Sequence, residues 1–421
     1  MYASILDVIV VGAGHAGLSI SYHLKDLHLS HLVLEKGRIG DTWINQRWDS
    51  FKLNTPNKWN LLPGQENMFS DPDGFCSAPD FAAFLEGYSV KFQLPVIENC
   101  EVLSVECVPG SNEFSVHVSE NGNAKNYLCK QIVIASGGQN IKSFPSFARN
   151  IPPEIVQLHT NEYRNASALP DGAILVIGSA QSGAQIAEDL IVDDRKVFIS
   201  TSQVPRVPRR YRGKDIVDWL VLSGFYDLQK NDVTDPLILK MKQPQVSTVG
   251  LQGHTLSLQG LARNGAVILG KTENTDGAVI FLQPNAATNI RYADEFSKKT
   301  KLMIDDYIQK SQLNAPPPEE DPYDYPDETA SFASGSTSLN LKENKITSII
   351  WATGFTGDFS YLKLPVFNGN GMLSHNNGIS EIEGLYFLGL PWLRKRKSGI
   401  ILGIEEDAGF MAKQILDYLT L

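Results

Sequence analysis

The 421-residue chain is predicted to be an α/β protein carrying two strand–turn–helix units, and three observations predict it. Apolar runs at Asp7 to Val11 and at Ala173 to Ile177 each lead straight into a glycine-rich turn. Each turn is followed by apolar residues at helical spacing. A further apolar run, His31 to Leu34, follows the first unit and ends in an acid, Glu35. Strand, glycine turn, helix and strand in that order make a Rossmann-like unit, so the expected fold class is α/β with two dinucleotide-binding (Rossmann-like) domains.

The first unit turns through Gly12-Ala13-Gly14-His15-Ala16-Gly17 before a helix that includes Leu18 to Leu24. In such a fingerprint the first glycine permits the tight turn, the second lets backbone approach a diphosphate, and the third packs helix on strand. The anion then sits at the positive end of the helix. Glu35 stands where an acid accepts hydrogen bonds from a ribose diol, with Lys36 beside it.

The second unit turns through Gly178-Ser179-Ala180-Gln181-Ser182-Gly183 into a helix from Ala184 to about Leu190. Ala180 replaces the middle glycine, which leaves open an ordinary strand-to-helix turn. The next strand, Lys196 to Ile199, ends in Ser200-Thr201-Ser202 with no acid in the ribose position. Arg206, Arg209 and Arg210 downstream are candidates for a 2′-phosphate, the other reading being a solvated basic loop.

Beyond Asp215 the chain mixes helical spacing with a hairpin of Ala266 to Gly270 and Ala278 to Leu282, turned through Thr275-Asp276-Gly277. Residues 314–335 are rich in proline, acid and serine and are expected to form an irregular surface crossover. A strand at Ile346 to Trp351 leads into Ala352-Thr353-Gly354-Phe355. The chain closes with Gly384 to Leu390 and a helix from about Ile400 to Leu419.

Lys and Arg total 37 against 47 Asp and Glu, a net charge of −10, which disfavours a nucleic-acid partner. No apolar run approaches the roughly 20 residues of a membrane-spanning helix. No basic segment precedes an apolar stretch and a cleavage site at the start, so a soluble, cytoplasmic protein is expected. The four cysteines, Cys76, Cys100, Cys107 and Cys129, form no C-x-x-C pair, which argues against a redox dithiol or a zinc site. No metal is expected.

Several blocks together resemble the flavin-containing monooxygenases, including the plant YUCCA branch and bacterial CzcO-like oxidoreductases. They are Gly12 to Gly17 with Glu35, Gly40-Asp41-Thr42-Trp43, Arg47-Trp48-Asp49-Ser50-Phe51-Lys52-Leu53-Asn54-Thr55-Pro56, the second glycine turn, Ala352 to Phe355, and Gly384 to Gly389. The resemblance covers nearly the whole chain. It implies FAD in the first domain, NAD(P)H in the second, and the NAD(P)H domain inserted into the FAD domain. The parts are 1–150, 165–340 and a returning 345–421. FAD contacts would come from Gly12, Gly14, His15, Ala16, Gly17, Glu35, Lys36, Gly40, Thr42, Trp43 and Trp48. NADPH, with NADH open, would meet Gly178, Ser179, Gln181, Ser182, Gly183 and the three arginines. Thr353, Gly354 and Phe355 would also face cofactor.

Asn54 matches the asparagine that sits beside the flavin in this family, and it is the candidate catalytic residue. Two departures stand out. The F-x-G-x-x-x-H-x-x-x-Y signature keeps His159 and Tyr163 but has Ile155 in place of its glycine, and Ala135-Ser136-Gly137 replaces an A-T-G. His159 is equally readable as a structural histidine at the domain crossover. The implied reaction takes a small organic substrate and dioxygen through a flavin C4a-(hydro)peroxide, oxygenating nitrogen or sulfur or inserting oxygen beside a ketone. A flavin reductase or oxidase and a non-catalytic redox sensor are the rival readings, and a homodimer is left open.

Overall fold

A computed structural model of the chain describes residues 5–66, 69–241, 244–245, 253–327, 329–369 and 371–420. Strand β1 (Leu6–Val11) pairs in parallel with β2 (His31–Leu34), Val8 opposite His31 and Val11 opposite Leu34. Val8, Ile9 and Val10 have no exposed surface, as a central parallel strand covered on both faces requires. The sheet continues through β3 (Val96–Ile97) on one side. On the other side comes an antiparallel trio, β4 (Cys100–Cys107), β5 (Phe114–Glu120) and β6 (Asn123–Ile134). The trio escaped the sequence reading.

The second sheet holds β7 (Val156–His159), β8 (Ala173–Ile177), β9 (Val197–Ser200), β10 (Val267–Leu269) and β11 (Ile346–Trp351). All are parallel, in the order β10-β9-β8-β11-β7. Two expectations change here. Val267–Leu269 joins the parallel sheet, and the hairpin arm is Thr272–Asp276, paired with Val279–Leu282. Gly270 forms the corner between them, where a Cβ would lie 1.6 Å from the Gln283 carbonyl oxygen. Residues before 165 and after 345 also belong to this sheet, because β7 and β11 lie side by side in it, so the chain leaves the second sheet at Ala352.

After that point β12 (Leu385–Phe387) pairs with β6 and completes the first sheet. Helix α1 (His15–Asp26) lies on this sheet, and α2 (Ala78–Lys91) starts at Ser77, whose hydroxyl caps the Asp80 N–H at 3.2 Å. Helix α3 (Gln181–Val192) plays the part of α1 in the second domain, where α4 (Ala286–Lys310) also lies. The last helix, α5 (Ile404–Thr420), joins Ala408, Met411 and Ile415 to the core that contains Leu18, Ile20 and Leu24 of α1. Its contact with α1 carries the returning segment to the first glycine turn. The 314–335 crossover has no helix or strand among its described residues, yet it is not wholly superficial, since Asp324 is buried. Among the described residues no helix is long and apolar enough to cross a membrane.

Candidate active site

Between β1 and α1 the backbone does what the glycines predict. Gly12 has φ +99°, and a Cβ there would lie 2.7 Å from the Ala135 carbonyl oxygen. A Cβ on Gly17 would lie 1.8 Å from the Gly12 carbonyl oxygen, so helix and strand touch backbone to backbone. Gly14 differs, for a Cβ there meets nothing within 4 Å. Its φ of −73° suits any residue, so what glycine supplies here is room in front of the helix N-terminus.

Glu35 closes the turn. Its carboxylate accepts from the Ala13 N–H at 2.7 Å and from the Gly37 N–H at 3.0 Å, and carboxylate oxygens retain capacity for a diol. His15 Nε2 and Trp48 Nε1 are buried polar atoms with no partner in the chain. Burial lowers the His15 imidazole to about 4, so it is neutral at neutral pH. Open space at Gly14, a carboxylate at the strand end and two orphaned ring nitrogens together fit a bound dinucleotide.

Other expected contacts are placed as follows within the chain. Lys36 is exposed and pairs with Glu101 at 2.7 Å. Gly40, at φ +79°, lets the chain pass α2, where a Cβ would lie 2.8 Å from Ala82. Thr42 is exposed, and Trp43 packs edge-on to Phe81 at 4.9 Å. Arg47 was not singled out by sequence, although it stands between the two tryptophans of the quoted block. Its guanidinium lies 5.1 Å from the Trp43 ring and 5.5 Å from Phe51, and no carboxylate among the described residues pairs with it. Burial lowers its pKa to about 10.

The second turn repeats the first. Gly178 has φ +108°, and a Gly183 Cβ would lie 2.0 Å from the Gly178 carbonyl oxygen. Ala180 has φ −71° and ψ −177°, against −73° and −175° at Gly14, so alanine adopts the middle conformation without strain. Ser179 is buried, its hydroxyl taking the Ser202 N–H at 3.1 Å. Gln181 and Ser182 stand at the start of α3.

The three arginines separate. Arg206 is 1% exposed and lies between Asp294 and Asp324. Arg209 is also 1% exposed and pairs with Asp215 at 2.5 Å. Both side chains are engaged by internal carboxylates rather than forming the solvated basic loop of the other reading. Arg210 is the exposed member.

Residues 351–356 form the hinge between sheets. Thr353 donates to the Ser143 carbonyl, and the Gly354 carbonyl faces His159 Nε2 at 3.0 Å. Phe355 packs edge-on to the His159 ring at 4.5 Å. His159 is buried, and burial lowers its pKa, so the ring is neutral at neutral pH. Tyr163 donates to Asp189 at 2.6 Å.

Asn54 is where the two domains meet. The backbone on either side of it is held, because Leu53 N–H donates to the Cys76 carbonyl at 2.9 Å and Arg209 donates to the Asn54 carbonyl at 2.9 Å. Its side-chain oxygen accepts from Gln185 of α3 at 3.1 Å. Gln185 is buried behind the second glycine turn, a link that sequence separation conceals.

The profile of the pyridine nucleotide-disulphide oxidoreductase family matches residues 9–239. The chain belongs to this family. An uncharacterized CzcO-like oxidoreductase of Geobacillus kaustophilus is 30% identical over 98% of this chain and 99% of its own. "Probable indole-3-pyruvate monooxygenase YUCCA9" of Arabidopsis thaliana is 26% identical over 55% of this chain and 61% of its own. A flavin-containing monooxygenase from Stenotrophomonas maltophilia shares the fold, with a TM-score of 0.65 over 99% of each chain at 18% identity. The expected resemblance and the expected fold class are borne out.

The family name includes disulphide chemistry, which needs a thiolate. Here Cys76, Cys100 and Cys129 are buried, Cys107 is exposed, and all four are free. Burial pushes the thiols up, to about 12 for Cys76 and Cys129 and to about 11 for Cys100. None lies in either glycine turn. Each Cys→Ser variant, once folded and loaded with flavin, is expected to be reduced by NADPH at the wild-type rate. Stopped-flow bleaching of the flavin checks this, and loss of reduction in any variant contradicts it.

Proposed function

We propose that this oxidoreductase is an FAD-dependent, NADPH-consuming monooxygenase of a small organic substrate. FAD occupies the first domain against Gly12 to Gly17 and Glu35, and NADPH the second against Gly178 to Gly183. The surface Arg210 and the absence of an acid at Ser200 to Ser202 favour NADPH over NADH. When bound, the flavin supplies hydride acceptance and dioxygen activation. One NADPH, one proton, one dioxygen and the substrate yield NADP⁺, water and the oxygenated product. Without transfer, NADPH, a proton and dioxygen yield NADP⁺ and hydrogen peroxide.

The observation that carries the reading is the held amide of Asn54. Its side-chain oxygen is engaged by Gln185 of the second domain, and on this reading the amide's N–H donors serve the bound cofactor. A neutral donor there stabilises an oxygen atom bearing negative charge without adding a proton of its own. The interdomain contacts of Asn54 keep that donor oriented and help exclude water.

Asn54→Ala and Asn54→Asp are expected to retain FAD and to oxidise NADPH while releasing more peroxide and less product. A loss of about 1–3 kcal/mol, roughly five- to 150-fold in coupled turnover, corresponds to one buried hydrogen bond. Peroxide released per NADPH oxidised, with thioanisole as probe, measures the change. Unchanged coupling in both variants contradicts the role given to Asn54.

A further inference from the structure

The segment after β12 carries four consecutive cations, Arg394 to Lys397, which the cofactor sites leave unexplained. It lies along residues 225–232. Arg396 N–H donates to the Leu228 carbonyl at 3.0 Å, Lys397 N–H to that of Tyr226 at 3.3 Å, and Lys230 N–H to that of Arg394 at 2.8 Å. Three of the four cations are neutralised. Arg394 faces Asp407 at 3.4 Å, Lys395 pairs with Glu406, and Lys397 reaches Asp227 at 2.8 Å and Glu406 at 2.7 Å. Asp227, Glu406 and Asp407 thus balance three charges, and Arg396 is the surplus.

No carboxylate among the described residues pairs with Arg396, and its guanidinium makes no hydrogen bond to them. Aromatic rings hold it instead, with Phe225 at 4.0 Å and Trp392 at 5.5 Å from its central carbon. Trp392 sits at φ +55°, a region bulky residues avoid, so the loop bears strain to set this ring. Ring contacts occupy guanidinium faces and leave the in-plane N–H fork to take an acceptor. Burial lowers the Arg396 pKa, which reflects a charge partly stripped of water.

Tyr226 completes the arrangement. Its ring packs edge-on to Phe225 at 5.5 Å, and its hydroxyl has no partner among the described residues. Burial pushes the phenol up to about 12, with the Arg209–Asp215 pair and Arg396 within electrostatic reach, so it is a donor at neutral pH. Arg209 is the residue that pins Asn54. Trp59, Phe225, Ile400 and Leu402 pack into the apolar cluster around Tyr226. A partly desolvated fork and a phenolic donor therefore flank one ring, Phe225, beside the apolar cluster that holds Tyr226.

We propose that Arg396 and Tyr226 bind the carboxylate of the substrate, a small organic acid whose apolar body rests against Phe225, Trp59 and Ile400. The word substrate rests on the monooxygenase reading, whereas the binding site does not. The test is equilibrium binding to the oxidised, FAD-loaded protein without NADPH, read from the flavin difference spectrum. The probes are (phenylthio)acetate and its neutral near-isostere (phenylthio)acetamide.

Wild type should bind the acid at least about ten-fold more tightly than the amide, as a charge-assisted fork implies. Arg396→Gln should abolish the preference, and Arg396→Lys should keep part of it, since charge survives while the fork is lost. Tyr226→Phe should reduce it by a smaller factor. Equal binding of the two probes, no binding of the acid, or a preference that survives Arg396→Gln overturns the proposal. An acid preference in an enzyme that makes only peroxide would leave this site standing and sink the monooxygenase reading.

Discussion

Arg206→Ala is expected to lower folding stability by about 3–5 kcal/mol, the cost of leaving buried carboxylates without their cation. Arg206 donates to Asp294 Oδ1 at 2.6 Å and 3.0 Å, to Asp324 Oδ1, and to the Asp324 carbonyl at 2.9 Å. It thereby ties α4 and the proline-rich crossover to the loop after β9. Lys301 and the Ser297 hydroxyl stay with Asp324 in the variant, but nothing replaces the guanidinium between the two acids.

Burial alone would raise the Asp324 carboxyl, yet Arg206 and Lys301 outweigh it and hold the group below the ordinary 3.8. A depressed carboxyl contributes stability above its unfolded pKa and loses it as pH falls through the folded pKa. The deficit of Arg206→Ala should therefore be full near neutral pH and should shrink in acid. Thermal melts of both proteins across that range check it, with a fall of several degrees at neutral pH. Equal melting points at neutral pH contradict the arrangement.

Gly17→Ala should cost about 1–3 kcal/mol or more from overpacking and should yield a protein that purifies without yellow colour. The added Cβ would fall 1.8 Å from a backbone oxygen, and neither backbone segment can rotate away. Helix α1 must lift from β1, which moves its N-terminal N–H groups from the diphosphate position. Gly14→Ala is the contrast, because its Cβ meets no protein atom and its φ is ordinary, so folding should survive while flavin affinity falls. Flavin content and melting temperature of the two variants separate packing from binding.

These glycines were legible in the sequence because their spacing encodes backbone geometry, and Glu35 because it ends a strand at a fixed distance from them. The antiparallel trio β4, β5 and β6 carries its own turn signals, Pro109-Gly110 and Asn121-Gly122, but it lies between the cofactor motifs, and a reading that followed those motifs passed over it. Arginine roles were opaque for a different reason. Arg206, Arg209 and Arg210 share composition and neighbourhood, and only the fold shows that Asp294, Asp324 and Asp215 claim two of them. Gln185 and Arg396 depend on contacts between distant segments, which local pattern does not carry. Asn54 was reached through its motif, while its orientation by Gln185 needed the domain interface.

The most direct measurement is the fate of labelled dioxygen. The FAD-loaded protein is given NADPH, oxygen enriched in the heavy isotope and the thioether (phenylthio)acetate, and product and peroxide are analysed by mass. One labelled oxygen atom in the sulfoxide for each NADPH consumed beyond the peroxide formed is the result predicted here. Peroxide equal to all the NADPH consumed, with no label in this or any nitrogen, sulfur or ketone probe, would contradict oxygen transfer and make the protein an oxidase.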